Sequence, residues 1–167
     1  MNKPRDIWRG MFNRCYNEKY HSKKPTYKDC FVNNEWKDFK IFKKWYEINH
    51  IEGFQLDKDI LFKNNKEYSP ETCCFVPREI NMLFVKSNGI RGNYLIGVNK
   101  INNKYRSSIT MYNKFNHLGY YETELEAFNA YKIAKENYIK ELADKWKESI
   151  TESTYNALYD YTVDIND

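Results

Sequence analysis

Long hydrophobic runs are missing from this chain of 167 residues. None of its apolar stretches approaches the roughly 20 residues that a membrane span requires. The first segment, MNKPRDIWRGMF, has no secretory apolar core, so we expect a cytoplasmic protein. Repeats and low-complexity tracts are also absent. The 15 Tyr, 10 Phe and 4 Trp supply enough large side chains to build globular cores, which excludes a mostly disordered chain.

Cysteine is scarce and poorly spaced for metal binding. Cys15, Cys30, Cys73 and Cys74 form no CxxC pair, and adjacent side chains such as Cys73 and Cys74 point to opposite faces of a strand. A cytoplasmic setting also argues against a disulfide framework. Cys15, Cys30 and Cys73 can still converge with His21 on a zinc ion, but their spacing does not require it. We therefore expect buried free thiols and no zinc.

Acidic residues are missing from one long stretch. Residues 87–121 carry five basic side chains and no acidic one, whereas residues 122–167 carry five basic and 11 acidic side chains. Residues 1–86 carry 17 basic and 12 acidic side chains, so the net charge of +4 hides a polarised chain. A stretch with only basic charge is a candidate phosphate-binding surface, although such stretches also occur as ordinary solvated faces.

Local patterns predict an α+β protein with two modules. The small, polar, glycine-containing segment 87–93 predicts a linker between a first module over 1–86 and a second over 94–150, and a helical tail follows over 151–167. In the first module, apolar spacing predicts helices over 4–16 and 35–48, a loop over 21–25, short strands over 54–60 and 73–76, and a closing helix over 77–84 with Ile80, Leu83 and Phe84 buried.

The second module reads as a three-stranded antiparallel sheet packed on a long helix. Alternation and Asn-containing turns predict strands over 94–100, 104–112 and 115–120. Thr123 and Glu126 form a capping box, which predicts a helix from there to about Trp146. We expect five tyrosines to pack in the core or at its edge: Tyr94, Tyr105, Tyr120, Tyr121 and Tyr131. The polar end of the chain is expected to fray.

Two side chains of the first module suggest metal chemistry. Asp57 lies on the first predicted strand of a strand–loop–strand–helix order, and Asn81 lies on the closing helix. One carboxylate and one amide oxygen can hold Mg²⁺, which keeps several waters and takes substrate phosphate oxygens as its other ligands.

The phrases around these residues resemble a known family. They run in the order WRGMFNRC (8–15), NNEWKDFKIF (33–42), QLDKDIL (55–61), YSPETCCFVP (68–77) and REIN (78–81). Together they resemble the HNH endonuclease superfamily with its ββα-metal fold, and more closely phage-borne HNH-like proteins. The resemblance implies a metal-dependent DNA endonuclease that uses Mg²⁺ or Mn²⁺. Asp57 and Asn81 take the metal-ligand places, and Asn64 or Asn65 takes the loop-fixing place.

One position departs from that family. Lys58 stands where the general-base histidine should follow Asp57, and its pKa would have to fall from about 10.4 to about 7 for it to act as a base. A protonated Lys58 can instead hold a phosphate or stabilise a leaving oxygen. Asp59 and His50 are alternative bases. A modified nuclease or nickase, a DNA-binding site that does not cut, and a structural remnant all remain open.

The second module resembles the DNA-binding domain of plant ethylene-response factors, the APETALA-type domain. The phrases GVNKINNKYRSSIT (97–110) and HLGYYETELEAFNAYKIAK (117–135) carry the resemblance, and the domain also occurs beside HNH modules in phage homing endonucleases. It implies that the open sheet face contacts double-stranded DNA. Base-facing positions are Asn99, Ile101, Arg106, Ser108, Thr110, Phe115 and His117, and phosphate-facing positions are Lys100, Lys104 and Lys114.

Several base-reading positions differ from the plant family, which has Arg and Trp where this chain has Asn, Ile, Ser and Thr. Base preference is therefore not predicted, and binding through backbone charge and DNA shape is expected. The favoured function is that of a phage or mobile-element HNH-type endonuclease. The alternatives are a catalytically inactive DNA-binding regulator, a factor that blocks a host nuclease or defence protein, and a module that binds proteins through the acidic segment 122–167.

Overall fold

The computed structural model describes residues 3–85 and 93–166 and contains both helices and strands. The α+β class is confirmed. The described residues divide into two units: those up to 84 together with 148–157, and those from 85 to 147 together with those from 158 on. The predicted linker over 87–93 lies, apart from Asn93, outside the described residues. No helix among the described residues is long and apolar enough to cross a membrane.

Three helices open the first unit: α1 (Pro4–Tyr16), α2 (Glu18–Lys23) and α3 (Phe39–Asn49). Helix α1 has the predicted bounds, with Pro4 in its first turn, where a missing N–H costs nothing. The loop predicted over 21–25 is wrong at its start, because Asn17 caps α2 by accepting the Tyr20 N–H at 3.3 Å. The helix predicted over 35–48 is divided, because Asp38 accepts the Lys40 N–H at 2.7 Å and caps α3 afresh.

The same unit also contains two short strand pairs, and the first of these strands lies between α2 and α3 along the chain. Strand β1 (Phe31–Val32) runs parallel to β3 (Glu67–Tyr68), and β2 (Phe54–Asp57) runs antiparallel to β4 (Cys74–Pro77). Helix α4 (Arg78–Asn81) and a 3₁₀ turn at Met82–Phe84 close the unit's strand–loop–strand–helix order, which is confirmed.

Large apolar side chains form the core of this unit. Met11, Trp36, Phe42, Val76 and Ile80 are completely buried. Leu83 and Phe84, which we expected to be buried beside Ile80, are only half-buried.

The second unit is a three-stranded antiparallel sheet backed by one helix. Strands β5 (Val98–Ile101), β6 (Lys104–Met111) and β7 (Lys114–Tyr121) pair in chain order, and α5 (Glu124–Trp146) follows. The capping box of Thr123 and Glu126 is confirmed. A short helix, α6 (Glu152–Tyr159), lies near the end of the chain. The sheet buries one face against α5 through a cluster that comprises Val98, Ile109, Ala127, Phe128, Tyr131 and Val163.

Two details of this unit differ from expectation. Strand β5 begins at Val98 rather than at Tyr94, because the Val98 N–H bonds to the Leu95 carbonyl at 3.0 Å and makes a turn there. The tail does not fray at Val163. Its carbonyl accepts from Lys132 Nζ at 2.6 Å, and its N–H donates to Glu136 Oε1 at 2.8 Å, which ties the segment to α5.

Candidate functional site

Asp57 is the last residue of β2, and its side chain stabilises the turn that follows the strand. Its Oδ1 accepts the backbone N–H groups of Asp59 at 2.7 Å and Ile60 at 2.9 Å, which ends the strand three residues before the predicted limit. Burial raises the pKa of the Asp57 carboxyl, and the two backbone donors oppose that rise. Because both bonds use Oδ1, Oδ2 is the oxygen that remains for a metal ion.

Asn81 reaches the same face of β2 as Asp57. Its Nδ2 donates to Gln55 Oε1 at 2.7 Å, and Gln55 stands two residues before Asp57, so their side chains share a strand face. The structure thus brings the two predicted metal ligands to one face. The pair suits a hard cation that keeps most of its waters, since Mg²⁺ is commonly held by only one or two carboxylates beside substrate phosphates.

Lys58 is a buried structural cation. Its side chain is 7% exposed, and Nζ donates to Asp59 Oδ1 at 2.7 Å and to the Asn65 carbonyl at 2.6 Å. The Tyr68 ring lies 5.9 Å away. A general base needs a free lone pair directed at water, but this amine faces two acceptors and donates to both. The catalytic role that the resemblance gave to this position has no support in these contacts.

Asn65, rather than Asn64, braces the loop between β2 and β3. Its Nδ2 donates to the carbonyls of Lys58 at 2.8 Å and Glu67 at 2.6 Å, and its Oδ1 accepts the Glu67 N–H at 3.1 Å. Asn64 is exposed and has a left-handed backbone, with φ of 63°. Of the two candidates, Asn65 makes the loop-fixing contacts, so the choice of Asn64 as a site residue is corrected.

The alternative bases, His50 and Asp59, are not positioned to activate a water molecule beside Asp57. His50 stacks on Tyr46, with 4.3 Å between ring centroids, and lies edge-on to Phe75 at 5.1 Å. Phe75 pairs with Leu56 and therefore shares the face opposite Asp57. Burial lowers the pKa of His50, and Glu52 opposes that change. Asp59, the other alternative, is held by Lys58.

The four cysteines are free and buried. Burial raises the pKa of Cys15 and of Cys74 to about 12, so both thiols stay protonated at neutral pH. His21, the fourth candidate zinc ligand, bonds through a ring nitrogen to the Arg14 carbonyl at 2.8 Å. Within residues 3–85 and 93–166, no cluster of three or more His, Cys, Asp or Glu side chains is arranged to hold a metal ion.

The open face of the sheet in the second unit carries the predicted base-facing side chains. Asn99 lies directly opposite Arg106, Ser108 lies opposite His117, and Thr110 lies opposite Phe115. Side-chain alternation places this set on the face away from α5. Its members are Asn99, Ile101, Lys104, Arg106, Ser108, Thr110, Phe115, His117 and Tyr120, and we call this surface the open face.

A β-bulge decides which residues of β7 reach the open face. Pairing shifts between Ser107, which is opposite Gly119, and Ser108, which is opposite His117, so Leu118 is an extra residue in β7. The bulge lets His117 and Tyr120 share one face although they are three residues apart. Tyr120 is 53% exposed and its ring lies 4.7 Å from that of His117, so the expectation that Tyr120 packs in the core is wrong.

Arg106 occupies the middle of the open face. Its guanidinium carbon lies 5.7 Å from the centroid of the Phe115 ring, and Tyr120 is its direct neighbour on β7. The Arg106 Nε–H is buried and lacks a hydrogen-bond partner in the part of the chain that the structure describes. Because this nitrogen is buried, a base or phosphate oxygen can reach it only after the Arg106 side chain changes its rotamer.

The lysines expected to contact phosphates lie in three different settings. Lys104 Nζ forms an exposed ion pair with Glu122 Oε1 at 2.8 Å, and that hydrogen bond raises the pKa of Lys104. Lys100 lies 5.5 Å from the Tyr105 ring, and Lys114 is exposed at the β6–β7 turn. Strand alternation directs Lys100, which is opposite Tyr105, and Lys114, which is opposite Met111, towards the side of the sheet that packs on α5, so the expectation that they flank the open face is wrong. Lys104 lies on the open face but must exchange Glu122 for a phosphate.

Comparison with known proteins adds no relative: no family model, no curated protein and no solved structure matches the chain. What the fold and site define is an α+β protein with a three-stranded sheet that is buried on one side and open on the other.

Proposed function

We propose that the protein binds double-stranded DNA through the open face. The observation that carries the proposal is the pairing of an uncovered sheet face with the absence of acidic residues from 93–121. The fold does not need this face for its core, because α5 packs on the other side. A small β-sheet can enter the major groove and present alternate side chains to the base edges.

The polar groups of the open face fit the expected division of contacts. Asn99 and Arg106 are neighbours across the β5–β6 pair, and both are side-chain types that can read base edges through two hydrogen bonds. Lys104, which lies on the same face as Arg106, adds a second positive charge that can meet a phosphate. Ser108 adds a hydroxyl to this face.

Salt dependence of binding tests the proposal. If Lys104 and Arg106 on the open face replace counterions, log affinity for duplex DNA should fall with log salt at a slope of about −2 or steeper. Removing Lys104 and Arg106 together by alanine substitution should flatten the slope by about 2. A matched control removes Lys135 and Lys145 from α5, behind the sheet. An affinity independent of salt, or equal slopes for both double variants, would refute the open face as the binding surface.

A metal-dependent DNA endonuclease or nickase is a second candidate for the first unit. Asp57 Oδ2 and the Asn81 amide oxygen are the groups that would hold Mg²⁺ or Mn²⁺, and such an ion polarises phosphate and lowers the pKa of water. The shared face of Asp57 and Asn81 favours this candidate. The engagement of Lys58 and the position of His50 favour a site that binds DNA without cutting it.

A plasmid-nicking assay distinguishes a first unit that cuts DNA from one that binds DNA without cutting it. Asp57→Asn keeps an Oδ1 acceptor for the Asp59 and Ile60 N–H groups but weakens metal binding. If the site is active, the unchanged chain should nick plasmid DNA with Mn²⁺. Asp57→Asn should abolish this nicking without unfolding the chain. DNA binding with no nicking in any metal would favour the inactive alternative, a regulator or a protein that blocks a host nuclease or defence protein in the cytoplasm.

A further inference from the structure

Phe115 is the most exposed phenylalanine or tyrosine among residues 3–85 and 93–166, at 63%. It stands on the open face, opposite Thr110 and two residues from His117. A large apolar side chain that is so exposed within a binding surface ordinarily gains an apolar partner when the surface is covered. The exposure of Phe115 therefore indicates that the ligand presents an apolar group to this side chain.

The ring belongs to a small apolar spot on a polar surface. Thr110 is exposed directly across the β6–β7 pair and contributes a methyl group. Arg106 lies over the ring, with its guanidinium carbon 5.7 Å from the centroid, so the ring has a fixed neighbour on one side. Asn99 and Ser108, elsewhere on the same face, are polar.

The major groove of DNA offers one apolar group, the C5-methyl of thymine, and phenylalanine and the threonine methyl are side chains that contact it. We infer that Phe115 and Thr110 contact thymine C5-methyl groups, so that the open face distinguishes thymine from bases without that methyl. This inference rests on the proposed binding of duplex DNA. Burial of one methyl group changes affinity by about fourfold.

The test compares two pools of short random-sequence duplexes that are identical except that one contains thymine and the other uracil. The full chain should bind the thymine pool about fourfold more tightly at fixed salt. Phe115→Ala should reduce the preference for thymine, and Phe115→Ala combined with Thr110→Ser, which removes both apolar contacts, should bind both pools equally. Phe115→Leu, which retains an apolar side chain, should restore a preference for thymine.

Leu125→Ala is the matched control, because Leu125 is 53% exposed on α5, in the same unit but outside the open face. It should keep the full thymine preference. Equal binding of both pools by the unchanged chain would overturn the inference but not the proposed function. Phe115→Ala that weakens both pools alike, or tighter binding of a single strand than of duplex, would overturn it too, in favour of a ring that stacks on a base. Failure to bind either pool would instead refute the proposed function.

Discussion

Lys58 and Asn65 bond to each other twice across the loop that joins β2 to β3. Lys58 Nζ donates to the Asn65 carbonyl at 2.6 Å, and Asn65 Nδ2 donates to the Lys58 carbonyl at 2.8 Å. Each residue uses its side chain to satisfy the other's backbone. The position that the HNH resemblance assigns to a catalytic base thus holds the loop together.

Lys58→Met tests that structural role. The substitution keeps the length of the side chain but leaves the Asn65 carbonyl without its donor. We expect the free energy of unfolding to fall by about 1–3 kcal/mol, because an unsatisfied buried polar group costs that much. Urea denaturation measures the change. Lys44→Met, at an exposed position of α3, should change stability by less than about 0.5 kcal/mol. Equal effects of the two substitutions would contradict the role.

Lys58→His should not create nuclease activity. The substitution introduces the residue type that the HNH resemblance expects beside Asp57, and it puts the imidazole where the amine now faces Asn65 and Asp59. A base there has no access to water because the position is buried. Plasmid nicking with Mn²⁺ measures the result. Metal-dependent nicking that this variant gains and the unchanged chain lacks would show that position 58 can reach the substrate.

Substitution of Asn65 should lower the stability of the protein, whereas substitution of Asn64 should leave it almost unchanged. Asn65→Ala removes three hydrogen bonds from a half-buried loop, so we expect a loss of about 2–3 kcal/mol of unfolding free energy. Asn64→Gly suits a backbone with φ of 63° and should change stability by less than about 0.5 kcal/mol. Thermal unfolding of both variants makes the comparison. A larger loss for Asn64→Gly would reverse the assignment.

Asp57 should make the protein less stable as pH rises. Burial raises its folded pKa above the ordinary 3.8, so the folded state binds more protons than the unfolded chain between those two pKa values. Stability that is fully present below pH 3.8 is therefore lost as pH rises through the folded pKa.

Asp57→Asn removes this titration and keeps the Oδ1 acceptor. Its stability relative to the unchanged chain should increase from pH 4 towards pH 7, as measured by urea denaturation at each pH. Asp38→Asn, at an exposed helix cap, serves as the control and should show no such increase. A relative stability that falls with pH would mean that the folded pKa is depressed.

Local sequence signals alone were sufficient to predict much of this protein's secondary structure. The helix over 4–16, the capping box at Thr123 and the order of three strands before a long helix depend on residues that are close in the chain, and the structure has them as predicted. The segregation of acidic residues away from 93–121 is also a property of the sequence itself. These features need no distant partner, and periodicity and capping residues therefore reveal them.

Tertiary structure decided which side chains can act. Lys58 can be buried because Asn65, seven residues away, supplies one of its two acceptors, and His50 is turned from Asp57 because it packs on the opposite face of the β2–β4 pair. The exposure of Tyr120 follows from a bulge, and a shift of one residue exchanges the two faces of a strand. Strand pairing and burial depend on residues far apart in the chain, so alternation within one segment could not reveal these positions.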